Sequence, residues 1–396
     1  MRLNKLLQRL VVCLLGFTLS TTACNPRSFG TPESVLEKEI PQNQFSVLPP
    51  KTPIPTSLFS QNGSAYLILT TSEAPYLHRL IHVPTSCLLA LIDCSTPVVV
   101  TAYPEVGVTP SHLHWKPNFQ EALILDSYEP RILSFDPKSA SITTIVKDIP
   151  TIRDDLIWLT DNLAIFVVQD SADYASKLVS LNWESGEPEI QSLADFGGIA
   201  YLLGIDVLGR ILVSLEIYDY PKGVSSFKKE VVSVHLLAIN QVTGVVTEPW
   251  EQIDWLSERP QSLLPDGRHL VVGSSSLALW DLQDEGRKVR IGDNAVFPVG
   301  SPDKRWLAWV EKGYNGDPST IRLYNIDTGD RFALVKLPLP PKLFWASNSK
   351  YIVMTLRGTE ANLGTLLVVS LGDGSMLSSP INLGNYSLVE DVSWGP

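Results

Sequence analysis

The chain has 396 residues, 44% of them hydrophobic and 18% charged, with 31 Lys+Arg against 42 Asp+Glu and a formal net charge of −11. That apolar content fills a large core, which excludes disorder of the whole chain. The acidic balance repels phosphate backbones and anionic headgroups alike, which argues against nucleic acid as a partner.

Residues 1–23 have the layout of an export signal: Arg2, Lys5 and Arg9, an apolar run from Leu10 to Leu19, then Ser-Thr-Thr-Ala before Cys24. The run is roughly half of the ~20 residues a membrane-spanning helix needs, so secretion is expected rather than a permanent span. Ala23-Cys24, with Thr22 before it, resembles the lipobox of bacterial lipoproteins, in which the cysteine is cleaved at and acylated; Thr21 stands where a leucine is usual. The resemblance implies lipidation of Cys24 and anchoring to the extracytoplasmic face of a bacterial membrane, against ordinary cleavage with a free thiol. Loss of the signal leaves 28 basic and 42 acidic side chains, a mature charge of −14.

Residues 24–56 hold seven prolines, Pro26, Pro32, Pro41, Pro49, Pro50, Pro53 and Pro55, and little periodic apolar pattern. That composition suits an extended, semi-rigid tether. Cys87 and Cys94 lie about 23 Å apart if the chain between them is one strand at ~3.3 Å per residue. A disulfide spans only ~4.4–6.8 Å between α-carbons, so a bridge requires a turn there; both the bridge and two free thiols stay open.

From residue 57 onward one unit recurs. It is clearest in Gly300-Ser-Pro-Asp-Lys-Arg-Trp-Leu-Ala-Trp-Val310: a polar turn, an apolar strand, and then a further strand ending in an Asp/Asn-to-Gly turn such as Asp327-Thr-Gly-Asp330. The residue before each turn serves as a marker, giving Phe59, Trp115, Trp158, Ile205, Leu263, Gly300 and Trp345, and the chain ends on an eighth marker-like residue, Trp394. From Phe59 to Trp394 is 335 residues, about 48 for each of seven units.

Gly300–Val310 and Leu263–Val272 resemble the Trp-Ser-Pro-Asp-Gly-x-x-Leu-Ala-Phe motif of TolB-type, WD-repeat-like β-propeller repeats. The resemblance covers residues 57–396 and implies an all-β fold: a single β-propeller of seven four-stranded blades. The terminal stretch Ser387–Trp394 repeats the approach to a marker and stops, so Leu388–Trp394 is expected as the innermost strand of the first blade, closing the ring. The segment before Phe59 is the rival, and six or eight blades are the alternatives. No Tol-system role is carried over, because a proline-rich segment stands where TolB has a separate domain.

No catalytic signature is present: no Gly-x-Ser-x-Gly, His-Glu-x-x-His, Gly-x-x-x-x-Gly-Lys or Cys-x-x-Cys. Residues three and four before each marker should ring one mouth of the channel, and three neighbouring blades then contribute Glu390 and Asp391, His112, and Asp154 and Asp155. Such an arc suits a divalent cation or a cationic group; polar residues lining a water-filled channel, balanced by Lys342 and Arg259, are the plainer alternative. His112 and His114 point the same way along a strand, and His78 and His82 share a strand face read as surface. Loops on the mouth side carry Tyr128, Tyr174, Tyr220 and Tyr314 beside acids, which suits gripping a sugar or a cationic peptide, though tyrosines also pack at loop bases. The expectation is a monomeric, lipid-anchored envelope protein without cofactor, binding a protein or glycan through this face. The alternative is a propeller enzyme of the carbohydrate-active or quinoprotein-like kind with its site at the same mouth.

Overall fold

The computed structural model describes residues 64–71, 78–88, 100–102, 110–118, 120–126, 130–170, 175–182, 188–219, 230–273, 276–284, 288–314, 317–356, 365–372, 374–378 and 386–395. The signal, Cys24 and the proline-rich tether lie outside the described residues. Among the described residues, every regular element apart from the helical turn Thr85–Leu88 is a strand. No described helix is long and apolar enough to cross a membrane.

The strands form seven antiparallel four-stranded sheets. Six are built in chain order, starting on Pro110–Trp115, Thr151–Trp158, Ile199–Ile205, Pro260–Leu263, Ala295–Gly300 and Lys342–Trp345. The remaining sheet takes its first strand from the end of the chain: Tyr386–Gly395 pairs antiparallel with Ser64–Thr71, setting Trp394 opposite Ala65 and Val392 opposite Leu67. The ring is therefore a seven-bladed β-propeller closed by its C-terminal strand, and the rival closure through the segment before Phe59 does not occur. We number the blades from the one so closed, and the first strand of each blade lies nearest the axis, where neighbouring first strands meet.

The second strand of each blade reads as an unbroken apolar run because it is buried on both faces. In blade 2, Ala122 and Ile124 pack with Leu113, Leu133 and Phe135 against Tyr66, Ile68 and Leu80 of blade 1. Their alternates Leu123 and Leu125 pack against Leu156, Ala164 and Phe166 of blade 3. This arrangement repeats around the ring: the buried apolar residues fall into seven clusters, one between each pair of neighbouring blades. Each fully buried Leu, Ile or Phe is worth roughly 1.5–3 kcal/mol, so the interfaces between blades rather than the hydrogen-bonded sheets supply most of the driving force.

The recurring polar turns are side-chain-capped. Asp206 Oδ1 accepts the N–H groups of Leu208 and Arg210 at 2.9 and 2.8 Å, and the same role falls to Asp266, Asp303 and Asn348 in later blades. At the other turn of the unit, Asn240 and Asn325 each accept two backbone N–H groups two and three residues on. Their closing glycines, Gly244 and Gly329, have φ of 68° and 78°, the left-handed region that makes glycine the favoured residue.

Cys87 is disulfide-bonded, and its partner lies outside the described residues. It sits in the helical turn Thr85–Leu88, where the chain leaves strand geometry.

Candidate functional site

The first strands do not pair smoothly with their neighbours. Register breaks fall between Pro110 and Leu113, Arg153 and Ile157, Leu202 and Gly204, Pro260 and Ser262, and Val296 and Val299, and opposite the closing strand between Ile68 and Leu69. Bulges of this kind re-aim side chains. In blade 2 the irregular stretch holds His112, and its imidazole meets the closing strand: His112 Nδ1 lies 3.4 Å from Asp391 Oδ1. The N–H of Leu113 donates to Asp391 Oδ2 at 3.1 Å, and Ser393 Oγ donates to Leu113 O at 3.1 Å. The closing strand is thus tied to blade 2 by side chains as well as to Ser64–Thr71 by the ladder.

These residues form one wall of a cavity of about 400 Å3 on the axis. His112, His114, Asp391 and Ser393, from blades 1 and 2, make that wall polar. Leu156 and Ile157 of blade 3 and Leu202 and Leu203 of blade 4 make the facing wall aliphatic, with Leu113 between them. Asp391 is only 6% exposed. Its only ion-pair partner among the described residues is His112, with no lysine or arginine beside it. The His112 and His114 rings lie edge to face with centroids 6.1 Å apart. No three His, Cys, Asp or Glu side chains among the described residues gather as a metal cage.

A second polar grouping stands between blades 4 and 5. Glu216, 4% exposed, takes Arg259 Nη2 at 2.7 Å on one carboxylate oxygen and the Tyr218 hydroxyl at 2.5 Å on the other. Burial, and then the Glu216 carboxylate beside it, push the Tyr218 phenol far above its ordinary value. Arg259 is therefore committed to Glu216 rather than balancing the axial acids. In blade 6 the mouth residue Phe297 is 46% exposed and held at φ 55°, a conformation unusual for a bulky side chain.

Of the expected site residues, His112 and Asp391 are brought together. Asp154 and Asp155 lie on the first strand of blade 3 and Glu390 on the closing strand, but their side chains are outside the described residues. Tyr128, Tyr174 and Tyr220 also lie outside them. Tyr314 is described and exposed, 66%, in the loop between the second and third strands of blade 6. His82 is half-buried, stacking on Tyr66 at 5.0 Å between centroids, and burial lowers its pKa; the side chain of His78 is outside the described residues. Sequence reasoning missed Leu156, Ile157, Leu203 and Ser393. The available signal was their place one or two residues before a marker, further into the channel than the mouth ring.

No protein-family model and no curated protein sequence matches the chain. Solved structures do. An oligogalacturonate lyase in complex with manganese aligns with a TM-score of 0.54 at 11% identity, over 80% of this chain and 85% of that one. A periplasmic gluconolactonase of Pseudomonas aeruginosa gives 0.52 at 11%, over 84% and 99%. TolB from Acinetobacter baumannii gives 0.49 at 12%, over 85% and 68%. The likeness is one of fold. Identities this low leave the chemistry to the site itself.

Proposed function

We propose that the chain is an exported, lipid-anchored β-propeller of the bacterial envelope that binds a partner or small ligand in its axial cavity. The observation that carries this reading is the cavity of about 400 Å3 in which a buried carboxylate, Asp391, faces an aliphatic wall. Concave sites that join an apolar lining to a few fixed polar groups are the usual form of binding pocket. The signal-like residues 1–23, Cys24 and the disulfide at Cys87 support export. The test of export is labelling with a radioactive fatty acid, where Cys24→Ala should abolish incorporation. Capture of envelope peptides and oligosaccharides on immobilised protein, wild type against a Leu203→Trp variant that fills the cavity, tests the site. At least one ligand class should be held by the wild type and lost by the variant; identical retention by both removes the axial site.

A catalytic reading draws on one observation, the 3.4 Å approach of His112 to Asp391, the layout of an oriented general base. The lyase and the gluconolactonase among the similar structures make lactones and oligogalacturonates the substrates to try. Turnover that disappears in His112→Gln would favour it.

A further inference from the structure

We infer that the axial cavity seats a primary ammonium group carried on an alkyl chain, the chemistry of a lysyl side chain or of a free aliphatic amine. The inference rests on the proposed axial binding site and names its ligand class. Asp391 supplies the first half of the argument. A carboxylate taken out of water is costly unless a cation or several hydrogen bonds compensate it. Here Oδ2 has a single backbone donor, Leu113 N–H, and Oδ1 has only His112 Nδ1 at 3.4 Å, longer than an ordinary N–H···O bond. Oδ1 therefore keeps acceptor capacity inside the cavity, and no lysine or arginine among the described lining residues occupies it. An ammonium group brings three donors and the missing charge.

The opposite wall supplies the second half. Leu156, Ile157, Leu202 and Leu203 offer neither a donor nor an acceptor side chain. A sugar carries hydroxyls around its whole rim, so those turned to this wall would lose their water without replacement, a penalty that selects against it. An alkyl stem loses nothing there and gains by burial, about fourfold in affinity for each methylene removed from water. The acidic body, −11 over the whole chain, draws cations toward it at long range.

The test is isothermal titration calorimetry with propylamine, butylamine and pentylamine, with 1-butanol as the uncharged control, and with Nα-acetyl-lysine methylamide as the peptide-borne form. Affinity should rise with chain length, and 1-butanol should bind at least about tenfold more weakly than butylamine, as expected for loss of a charged hydrogen bond. Asp391→Asn keeps an acceptor for Leu113 N–H and should lose binding by a similar factor. Leu203→Trp and, from the other wall, His112→Trp should each abolish it, with cooperative urea unfolding confirming that a variant is folded. Binding of the lysine derivative alone assigns the ligand to a polypeptide, binding of the free amines alone to small molecules, and both confirm the shared chemistry. Equal binding of butanol and butylamine, or no loss in Asp391→Asn, overturns the ammonium assignment. If oligosaccharides bind and are lost in Leu203→Trp while amines never bind, the ligand class falls and the axial site stands. If amine binding survives both cavity-filling variants, the two fall together.

Discussion

Three of the marker tryptophans do the same job at atomic scale. Trp345 Nε1 donates to Val299 O at 3.0 Å, Trp394 Nε1 to Trp345 O at 2.7 Å, and Trp158 Nε1 to His114 O at 3.3 Å. Each indole reaches back to the first strand of the preceding blade. Trp115 breaks the pattern: its ring packs on Tyr66 and Phe135, and its buried Nε1 has no hydrogen-bond partner. Trp345→Phe should therefore cost about 0.5–1.5 kcal/mol beyond lost packing, because it removes the hydrogen bond to Val299 O, whereas Trp115→Phe has no bond to lose. Urea denaturation of both variants checks this, and equal losses would refute it. A second residue-scale prediction concerns acid. The Arg268 guanidinium, at 2.5 Å, holds the Asp281 carboxyl down at about 2. A depressed carboxylate contributes stability above its unfolded value of ~3.9 and loses it as pH falls toward the folded one. Asp281→Asn should be less stable than the wild type at pH 7, with the gap closing between about pH 4 and pH 2. A gap unchanged over that range would show that Arg268 does not set this titration.

At the scale of the element, the turns explain why the fold was readable and the site only in part. Asp206 is bound by two backbone N–H groups and by the Arg210 guanidinium at 2.7 Å. Asp206→Ala should destabilise by about 1–3 kcal/mol and increase amide exchange in the turn at 207–210, since those donors then have no acceptor. Exchange unchanged there would mean that backbone geometry alone holds the turn. Polar caps and doubly buried strands leave a signature in residue type, so Gly300–Val310 and Leu263–Val272 announce their blades and Trp394 announces the closure. The cavity leaves no such signature. Counting back from the markers reached His112 and Asp391, but the register breaks at Pro110/Leu113 and Arg153/Ile157 are invisible to counting. The aliphatic wall of Leu156, Ile157 and Leu203 reads in sequence as ordinary core. Arg259 looked like a free mouth charge because its partner Glu216 lies on another blade, 43 residues away in sequence.

At the scale of the whole molecule, the strand that shuts the ring also carries half of the cavity's polar wall. Tyr386–Gly395 holds Val389 and Val392 in the cluster between blades 7 and 1, and presents Asp391 and Ser393 to the axis. Removing residues 386–396 would uncover the edge of Ser64–Thr71 together with Ala65, Leu67 and Leu69, and an apolar unpaired edge associates with other chains. The truncated protein should elute as aggregate in size-exclusion chromatography and lose cooperative unfolding. A synthetic peptide of residues 386–396 added in trans should restore the elution volume of the intact protein, because pairing and burial are supplied by the strand and not by its covalent attachment. The same peptide with Asp391→Asn should restore that elution volume equally well, since Leu113 N–H still finds an acceptor, while butylamine binding returns only with the native peptide. If the truncated chain elutes like the intact protein and unfolds cooperatively without any peptide, the seventh interface is dispensable and the ring is held by the other six.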